Sequence, residues 1–205
     1  MRLGIDFDNT IAGYDALFAA LAEERGLFAR APRSKRALRD ALRRRPDGEA
    51  AWRGLQAEVY GPRMADAELI DGVADFLGAC FEAGIEVHVV SHKTRQSNFI
   101  DNGVDLHIAA LDWMAANGFF GAGGLGLSLD RIHFADTRAD KVARIAGLGC
   151  RRFIDDLEEV FVEPGFPKAA ERILFDPAGA GTRVPGVAPF RHWREITEHV
   201  FGHSH

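Results

Sequence analysis

Two pairs of carboxylates stand at the ends of short apolar runs that lie far apart in the chain. Asp6 and Asp8 follow the first such run, and Asp155 and Asp156 close a much later one. Carboxylates that share one site repel each other and raise each other's pKa, so a cluster of four normally requires a cation. Hard oxygen ligands favour Mg²⁺, and no zinc-type set of histidines and cysteines accompanies them. The residue types therefore predict a magnesium site.

Mg²⁺ beside a free carboxylate, a hydroxyl and a lysine suits phosphoryl transfer, which depends on positioning and charge neutralisation. A carboxylate can attack phosphorus and form an acyl phosphate. A second carboxylate two residues further on, as Asp8 is relative to Asp6, can protonate the leaving oxygen and later activate water.

The elements that must position these residues alternate between strands and helices. Five apolar runs have the length and the β-branched or aromatic content of buried strands, at 3–7, 85–91, 131–134, 152–156 and 172–176. Helices with one apolar face are predicted at 71–83, 106–117, 140–148 and 190–201, the last after a loop over 176–189. This alternation predicts an α/β fold, a three-layer Rossmann-like core with a parallel sheet. Ligands of such sheets bind beyond the carboxyl ends of the strands, where the acidic pairs and Ser91 would meet.

Residues 13–70 interrupt the alternation with three predicted helices, at 14–25, 34–45 and 48–60, and no convincing strand. The predicted organisation is a core of residues 1–12 and 71–205, with 13–70 as a helical insertion. A length of 205 residues fits one domain enlarged in this way.

The composition excludes several classes of protein. The 25 lysines and arginines against 30 acids leave a net charge of −5, which does not favour nucleic acid or anionic membranes. No apolar stretch is long enough to span a membrane, and the N-terminus lacks the apolar region of a signal peptide. Cys80 and Cys150 form no CxxC pair, which indicates a reducing compartment. We therefore expect a cytoplasmic protein, as a monomer or homodimer.

Four short motifs in order resemble those of the haloacid dehalogenase (HAD) superfamily, over residues 1 to about 176. Asp6-Phe7-Asp8-Asn9-Thr10 resembles its DxDxT motif, and Val89-Val90-Ser91 resembles the strand that ends in Ser or Thr. Lys141 opens a helix as the lysine of the third motif does, and Phe153-Ile154-Asp155-Asp156 resembles the fourth.

The resemblance implies a role for each residue at the site. Asp6 would be the nucleophile and a Mg²⁺ ligand, and Asp8 the general acid and base, with its carbonyl on the metal. Thr10 would position Asp8, and Ser91 would bind the phosphoryl oxygens. Lys141 would neutralise charge, Asp156 would bind the metal directly, and Asp155 would bind it directly or through water. Dehalogenases of the family lack an acid at the position of Asp8, so the sequence resembles the phosphate-handling members.

The identity of the site lysine and the role of three arginines each have more than one interpretation from the sequence. Lys93, two residues after Ser91, competes with Lys141 for the role of the lysine, and His92 and Lys93 could touch substrate. Arg36, Arg39 and Arg43 share one face of the second inserted helix, either as a solvated surface or to attract an anion. The family places a cap over the substrate where residues 13–70 stand.

The predicted function is Mg²⁺-dependent hydrolysis of a phosphomonoester on a small metabolite, a phosphosugar or a nucleotide. The alternatives are a phosphotransferase or phosphomutase that uses the same site, and a non-catalytic binding protein on this fold.

Overall fold

The computed structural model describes residues 1–96, 103–121 and 123–202. Its strands are β1 Arg2–Ile5, β2 Ala12–Gly13, β3 Glu68–Leu69, β4 Glu86–His92, β5 Ile132–Ala135, β6 Arg152–Asp155, β7 Glu171–Phe175 and β8 Val187–Phe190. Six of them form one sheet in the order β5-β4-β1-β6-β7-β8, and every neighbouring pair is parallel. The short strands β2 and β3 pair separately.

The helices are α1 Asp15–Glu24, α2 Lys35–Arg43, α3 Gly48–Val59, α4 Val73–Glu82, α5 Leu106–Ala116, α6 Arg138–Leu148, α7 Glu158–Phe161 and α8 Trp193–Phe201. Single 3₁₀ turns occur at Met64–Asp66 and Leu129–Arg131. The fold is thus a parallel sheet with flanking helices, which confirms the predicted α/β Rossmann-like class.

The register of the sheet brings distant chain segments to one level. Ile5 of β1 lies opposite Val89 of β4 on one side and Ile154 of β6 on the other. The amide of Asp6 then donates to the carbonyl oxygen of Ile154 at 2.8 Å. The carboxyl ends of β1, β4 and β6 therefore meet at one edge of the sheet.

Two compact units make up the chain. The first contains Met1–Ile11, Leu69–Lys93 and Asn117–His205, and the second contains Ala12–Glu68 and Thr94–Ala116. The first unit holds the main sheet, with a buried cluster on one side that includes Val142, Phe153, Phe161 and Leu174. The second unit holds α1, α2, α3 and α5, and its core includes the stacked rings of Phe18 and Trp52, whose centroids are 5.0 Å apart.

Most predicted elements are present, with differences that have local causes. Helix α6 begins before the predicted Asp140 because the hydroxyl of Thr137 caps it, accepting from the Asp140 amide at 3.0 Å. Strand β8 lies partly in the stretch predicted to be loop. It pairs on one side only, which tolerates Pro189 at a position where an inner strand would lose a hydrogen bond.

The predicted domain boundaries, a core of 1–12 and 71–205 with 13–70 inserted, stay a prediction. Within the second unit, the indole nitrogen of Trp113 in α5 donates to the carbonyl oxygen of Ala67 at 2.9 Å. The inserted segment also ends in β3, where no strand was predicted. Among the described helices, none has both the length and the apolar character needed to cross a membrane.

Candidate active site

The loop after β1 presents the first acidic pair. Asp6 is 5% exposed, and its Oδ2 accepts from the hydroxyl of Thr10 at 3.4 Å. Asn9 takes the left-handed conformation with φ of +62°, which asparagine tolerates better than most residues. The amide of Ile11 donates to the carbonyl of Phe7 at 3.0 Å and closes a tight turn. This turn explains how two acids two residues apart both remain at the strand end.

Lys141 joins the two acidic pairs. Its ammonium group lies 2.6 Å from Oδ1 of Asp6 and 2.6 Å from Oδ2 of Asp155, and the lysine is only 2% exposed. Burial pushes the pKa of Lys141 down, but the charges of Asp155 and Asp6 outweigh burial and raise it above its ordinary value. The lysine is therefore charged and shared between a residue of β6 and the residue that follows β1.

Asp6 is a carboxyl group with a strongly shifted pKa. Burial raises its pKa from 3.8 to about 7, the Lys141 charge opposes this, and the charges of Asp155 and Asp8 add to the rise. A cation that binds here would relieve the repulsion and favour the ionised form of Asp6.

Three carboxylates offer a set of ligands for such a cation. One oxygen each from Asp6, Asp155 and Asp156 lies within 4.8 Å of the others. An all-oxygen set with this spacing fits Mg²⁺, which is usually held by one or two carboxylates and several waters. Oδ1 of Asp155 also accepts from the amide of Leu157 at 2.9 Å, so Asp155 is held in place from two directions.

Ser91 brings a hydroxyl to the same edge of the sheet. It lies near the end of β4 and is 1% exposed. Within the described part of the chain, its Oγ is the buried side-chain polar atom without a hydrogen-bond partner. Buried polar atoms are normally satisfied, so an unpartnered hydroxyl beside a candidate site points to a ligand that completes it.

The residues after Ser91 differ in their surroundings. His92 is exposed, and its Nε2 lies 3.0 Å from the carbonyl oxygen of Asp136, to which it can donate. Lys93 is 5% exposed, and its Nζ lies 3.1 Å from Oδ1 of Asp8. The two lysines that compete in the sequence thus both lie at the site, on different carboxylates.

One contributor to the site has no signal in the sequence. The indole nitrogen of Trp193, in the first turn of α8, donates to the backbone carbonyl of Thr10 at 3.0 Å. Trp193 is 1% exposed and anchors the loop that carries Asp8. The sequence predicts a helix here, but no local pattern indicates that this helix contacts a loop 183 residues away.

The three arginines of α2 have mostly local partners. Arg39 pairs with Asp40 at 2.9 Å, and Arg43 pairs with Glu49 at 2.8 Å, while Arg36 is exposed. Their opposite face buries Leu38 and Leu42 in the second unit. Ion pairs of this exposed kind contribute little stability, and they partly neutralise the basic face.

Comparison with known proteins supports the fold. No protein-family model matches the sequence, and no curated protein does so. Solved structures do match. A HAD-superfamily hydrolase of subfamily IA from Geobacter sulfurreducens aligns over 97% of this chain and 95% of its own, with 14% identity and a TM-score of 0.57. The chain thus has an α/β fold similar to that of HAD-superfamily structures.

Other structures with this fold differ in their chemistry. A HAD-family hydrolase from Deinococcus radiodurans with bound phosphate and sodium covers 97% of this chain and 94% of its own, at 15% identity and a TM-score of 0.58. A dehalogenase with an intermediate complex aligns over 95% of this chain and 94% of its own, at 15% identity and a TM-score of 0.59. At this identity the likeness establishes the fold, while the reaction must be argued from the site.

Proposed function

We propose that this protein is a Mg²⁺-dependent phosphomonoester hydrolase that acts on a small phosphorylated metabolite. The observation that carries the proposal is the group at one sheet edge formed by the buried Asp6, Lys141 and Asp155 together with the half-buried Asp156. It combines a nucleophilic carboxylate, a fixed cation and a set of oxygen ligands for a metal, which are the parts that phosphoryl transfer needs.

In the first half of the reaction a carboxylate oxygen of Asp6 attacks phosphorus and the bond from phosphorus to the ester oxygen breaks. The product is a phosphorylated aspartate. Asp8, as a carboxylic acid, donates its proton to the leaving oxygen, which departs as an alcohol. The unpartnered hydroxyl of Ser91 donates to a phosphoryl oxygen.

In the second half Asp8, now a carboxylate, accepts a proton from water as the water oxygen attacks phosphorus. The bond between phosphorus and Asp6 breaks, releasing phosphate and restoring the carboxylate. Lys141 neutralises charge on Asp6 throughout, because it is held by Asp155 on its other side.

The three carboxylates would hold Mg²⁺, which when bound supplies charge neutralisation for the phosphoryl oxygens. Asp6 and Asp156 would bind it directly, together with the carbonyl of Asp8, and Asp155 would bind it directly or through a water.

Asp8 favours a phosphatase over a dehalogenase. A dehalogenase expels halide, which needs no proton, whereas an alkoxide leaving group does. A carboxyl group two residues from the nucleophile supplies that proton. A phosphosugar is the first candidate substrate class and a nucleoside monophosphate the second.

A phosphate-release screen tests the proposal. Sugar phosphates, nucleotides and aryl phosphates would each be incubated with the full-length protein and Mg²⁺, and again with EDTA. We expect release of free phosphate from at least one class, and loss of release with EDTA. Failure to cleave any ester would overturn the hydrolase in favour of a binding protein. Release of the leaving alcohol without free phosphate, and only when a sugar acceptor is added, would overturn it in favour of a phosphotransferase. Halide release from a 2-haloacid would assign the chain to the dehalogenases instead.

A further inference from the structure

A second buried cation at the site has a partner of its own. We infer that Lys93 is a positioning residue that holds the carboxyl group of Asp8 in place for proton transfer to the leaving group. The inference rests on the proposed function and names a residue that acts through Asp8.

The backbone places Lys93 beside Ser91. Its amide donates to the carbonyl oxygen of Ala135 at 3.0 Å, which continues the pairing of β4 with β5 one residue beyond the strand. Side chains of an extended segment alternate between faces, so Ser91 and Lys93 share one face and His92 takes the other. The burial pattern agrees, because Ser91 and Lys93 are buried and His92 is exposed.

The two partners differ in exposure. The side chain of Lys93 is 4% exposed, whereas that of Asp8 is 20% exposed. The carboxyl group therefore remains open to a reacting group, while the ammonium group behind it is covered. The amine also lies 5.8 Å from the centre of the Phe7 ring, which covers one side of it.

The two lysines divide the carboxylates between them. Lys141 contacts Asp6 and Asp155, and Lys93 contacts Asp8 at 3.1 Å. A buried ammonium group requires a charged or strongly polar partner, so the Lys93 contact holds both groups in place. The nucleophile and the acid are in this way oriented by different cations.

The contact with Lys93 gives the two oxygens of Asp8 different roles. In a carboxylic acid one oxygen carries the proton while the other can still accept a hydrogen bond. Lys93 donates to Oδ1, and in the proposed reaction Oδ2 carries the proton, which passes to the ester oxygen as the bond to phosphorus breaks. Asp8 becomes a carboxylate, Lys93 remains an ammonium ion, and the alcohol leaves. Attack by Asp6 on phosphorus does not use Lys93.

A pair of matched substrates tests whether Lys93 acts on protonation of the leaving group and not on attack at phosphorus. Phenyl phosphate has a leaving group that needs protonation, and 4-nitrophenyl phosphate has one of similar size that departs readily as the anion. For Lys93→Met we expect the single-turnover rate of phenol release from phenyl phosphate to fall at least about tenfold more than that of 4-nitrophenol release, since general acid catalysis contributes roughly 100- to 10,000-fold. The single-turnover rate is measured because the second half of the reaction, in which Asp8 also acts, is the same for both substrates. KM should change less than about twofold for either substrate.

Four further variants complete the experiment. Asp8→Asn should show the same selective loss, and the double variant should show no further selectivity, because both changes remove one function. Lys93→Arg should recover part of the phenyl phosphate rate. The exposed Lys168→Met should leave both rates unchanged.

Several outcomes would overturn the inference. An equal loss with both substrates would assign Lys93 a structural role, and a rise in KM with kcat retained would make it a phosphate ligand. If Lys93→Met does not fold, Lys93→Gln, which keeps a donor, is measured in the same way and read by the same criteria. If the unaltered protein hydrolyses neither ester nor any other in the screen, the proposed function fails and this inference with it. If the unaltered protein hydrolyses the esters but the variants lose no more activity with phenyl phosphate than with 4-nitrophenyl phosphate, the inference about Lys93 is overturned and the proposed function stands.

Discussion

The ammonium group of Lys141 lies 2.6 Å from a carboxylate oxygen of Asp6, across 135 residues of sequence. Both groups are almost fully buried. Such a pair is costly to desolvate and strongly destabilised when one partner is removed. Its position at the carboxyl edge of the sheet agrees with the proposed catalytic role, because hydrophobic residues would stabilise the fold as well.

Replacement of the nucleophile should remove activity and leave the fold. Asp6→Asn keeps the size of the side chain but not the attacking oxygen, so we expect kcat to fall by at least about three orders of magnitude. The melting temperature should stay within a few degrees, because Lys141 keeps its ion pair with Asp155 and the asparagine oxygen can still accept from its ammonium group. Phosphate release and thermal melts measure the two effects, with the exposed Asp130→Asn as control. Near-normal turnover by Asp6→Asn would contradict the mechanism.

The affinity for Mg²⁺ should depend on pH through Asp6. The folded pKa of about 7 lies above the ordinary 3.8, so Asp6 ionises only as the pH rises towards and past 7. Ligands bind metal when deprotonated, so affinity measured by calorimetry should be roughly ten- to thirty-fold weaker at pH 5.5 than at pH 7.5. The contribution of Asp6 to the stability of the metal-free protein, measured as the difference from Asp6→Asn, should be greatest near pH 4 and be lost as the pH rises through 7, because over this range the folded state holds a proton that the unfolded state has released. Asp6→Asn should flatten the affinity profile, and a profile unchanged in that variant would assign the titration elsewhere.

Loss of the Ser91 hydroxyl should weaken catalysis without weakening the fold. Its Oγ has no partner among the described residues, so Ser91→Ala should leave the free energy of unfolding unchanged or raise it by up to about 1 kcal/mol. A hydrogen bond to a charged group contributes about 1.5–3 kcal/mol, so kcat/KM should fall at least about tenfold. Ser34, whose hydroxyl caps α2, is the contrasting control. Ser34→Ala should lower stability by about 1 kcal/mol. A clear loss of stability in Ser91→Ala would show that the hydroxyl has an internal partner.

The contact between α8 and the Thr10 loop should matter for both stability and rate. Trp193→Phe removes the donor to the Thr10 carbonyl, and a buried acceptor left unsatisfied costs about 1–3 kcal/mol. We also expect kcat to fall several-fold, because small displacements of catalytic groups are costly. Trp113→Phe is the matched control, since its indole also donates to a backbone carbonyl, that of Ala67. It should lower stability in urea denaturation by a similar amount without lowering kcat. Equal kinetic losses in both variants would indicate a general effect of stability.

The strands of the sheet and the polar residues at their ends could be predicted from the sequence. Alternating apolar runs and helix caps are local patterns, so the five predicted strands and the inserted helices are all present. The topology of parallel sheets then brings the acidic pairs and Ser91 to one edge. Strand β8 was not predicted, since a four-residue edge strand with a proline carries little periodic signal.

Which side chains pair with one another across distant segments became clear from the three-dimensional structure alone. That Lys141 reaches Asp6 and Asp155 while Lys93 reaches Asp8, 85 residues away, depends on register and packing. The same holds for the bond from Trp193 to Thr10, and for the association of residues 94–116 with the inserted helices. Local sequence sets the elements because their energetics are local. Partners between distant segments follow from burial, which no single segment specifies.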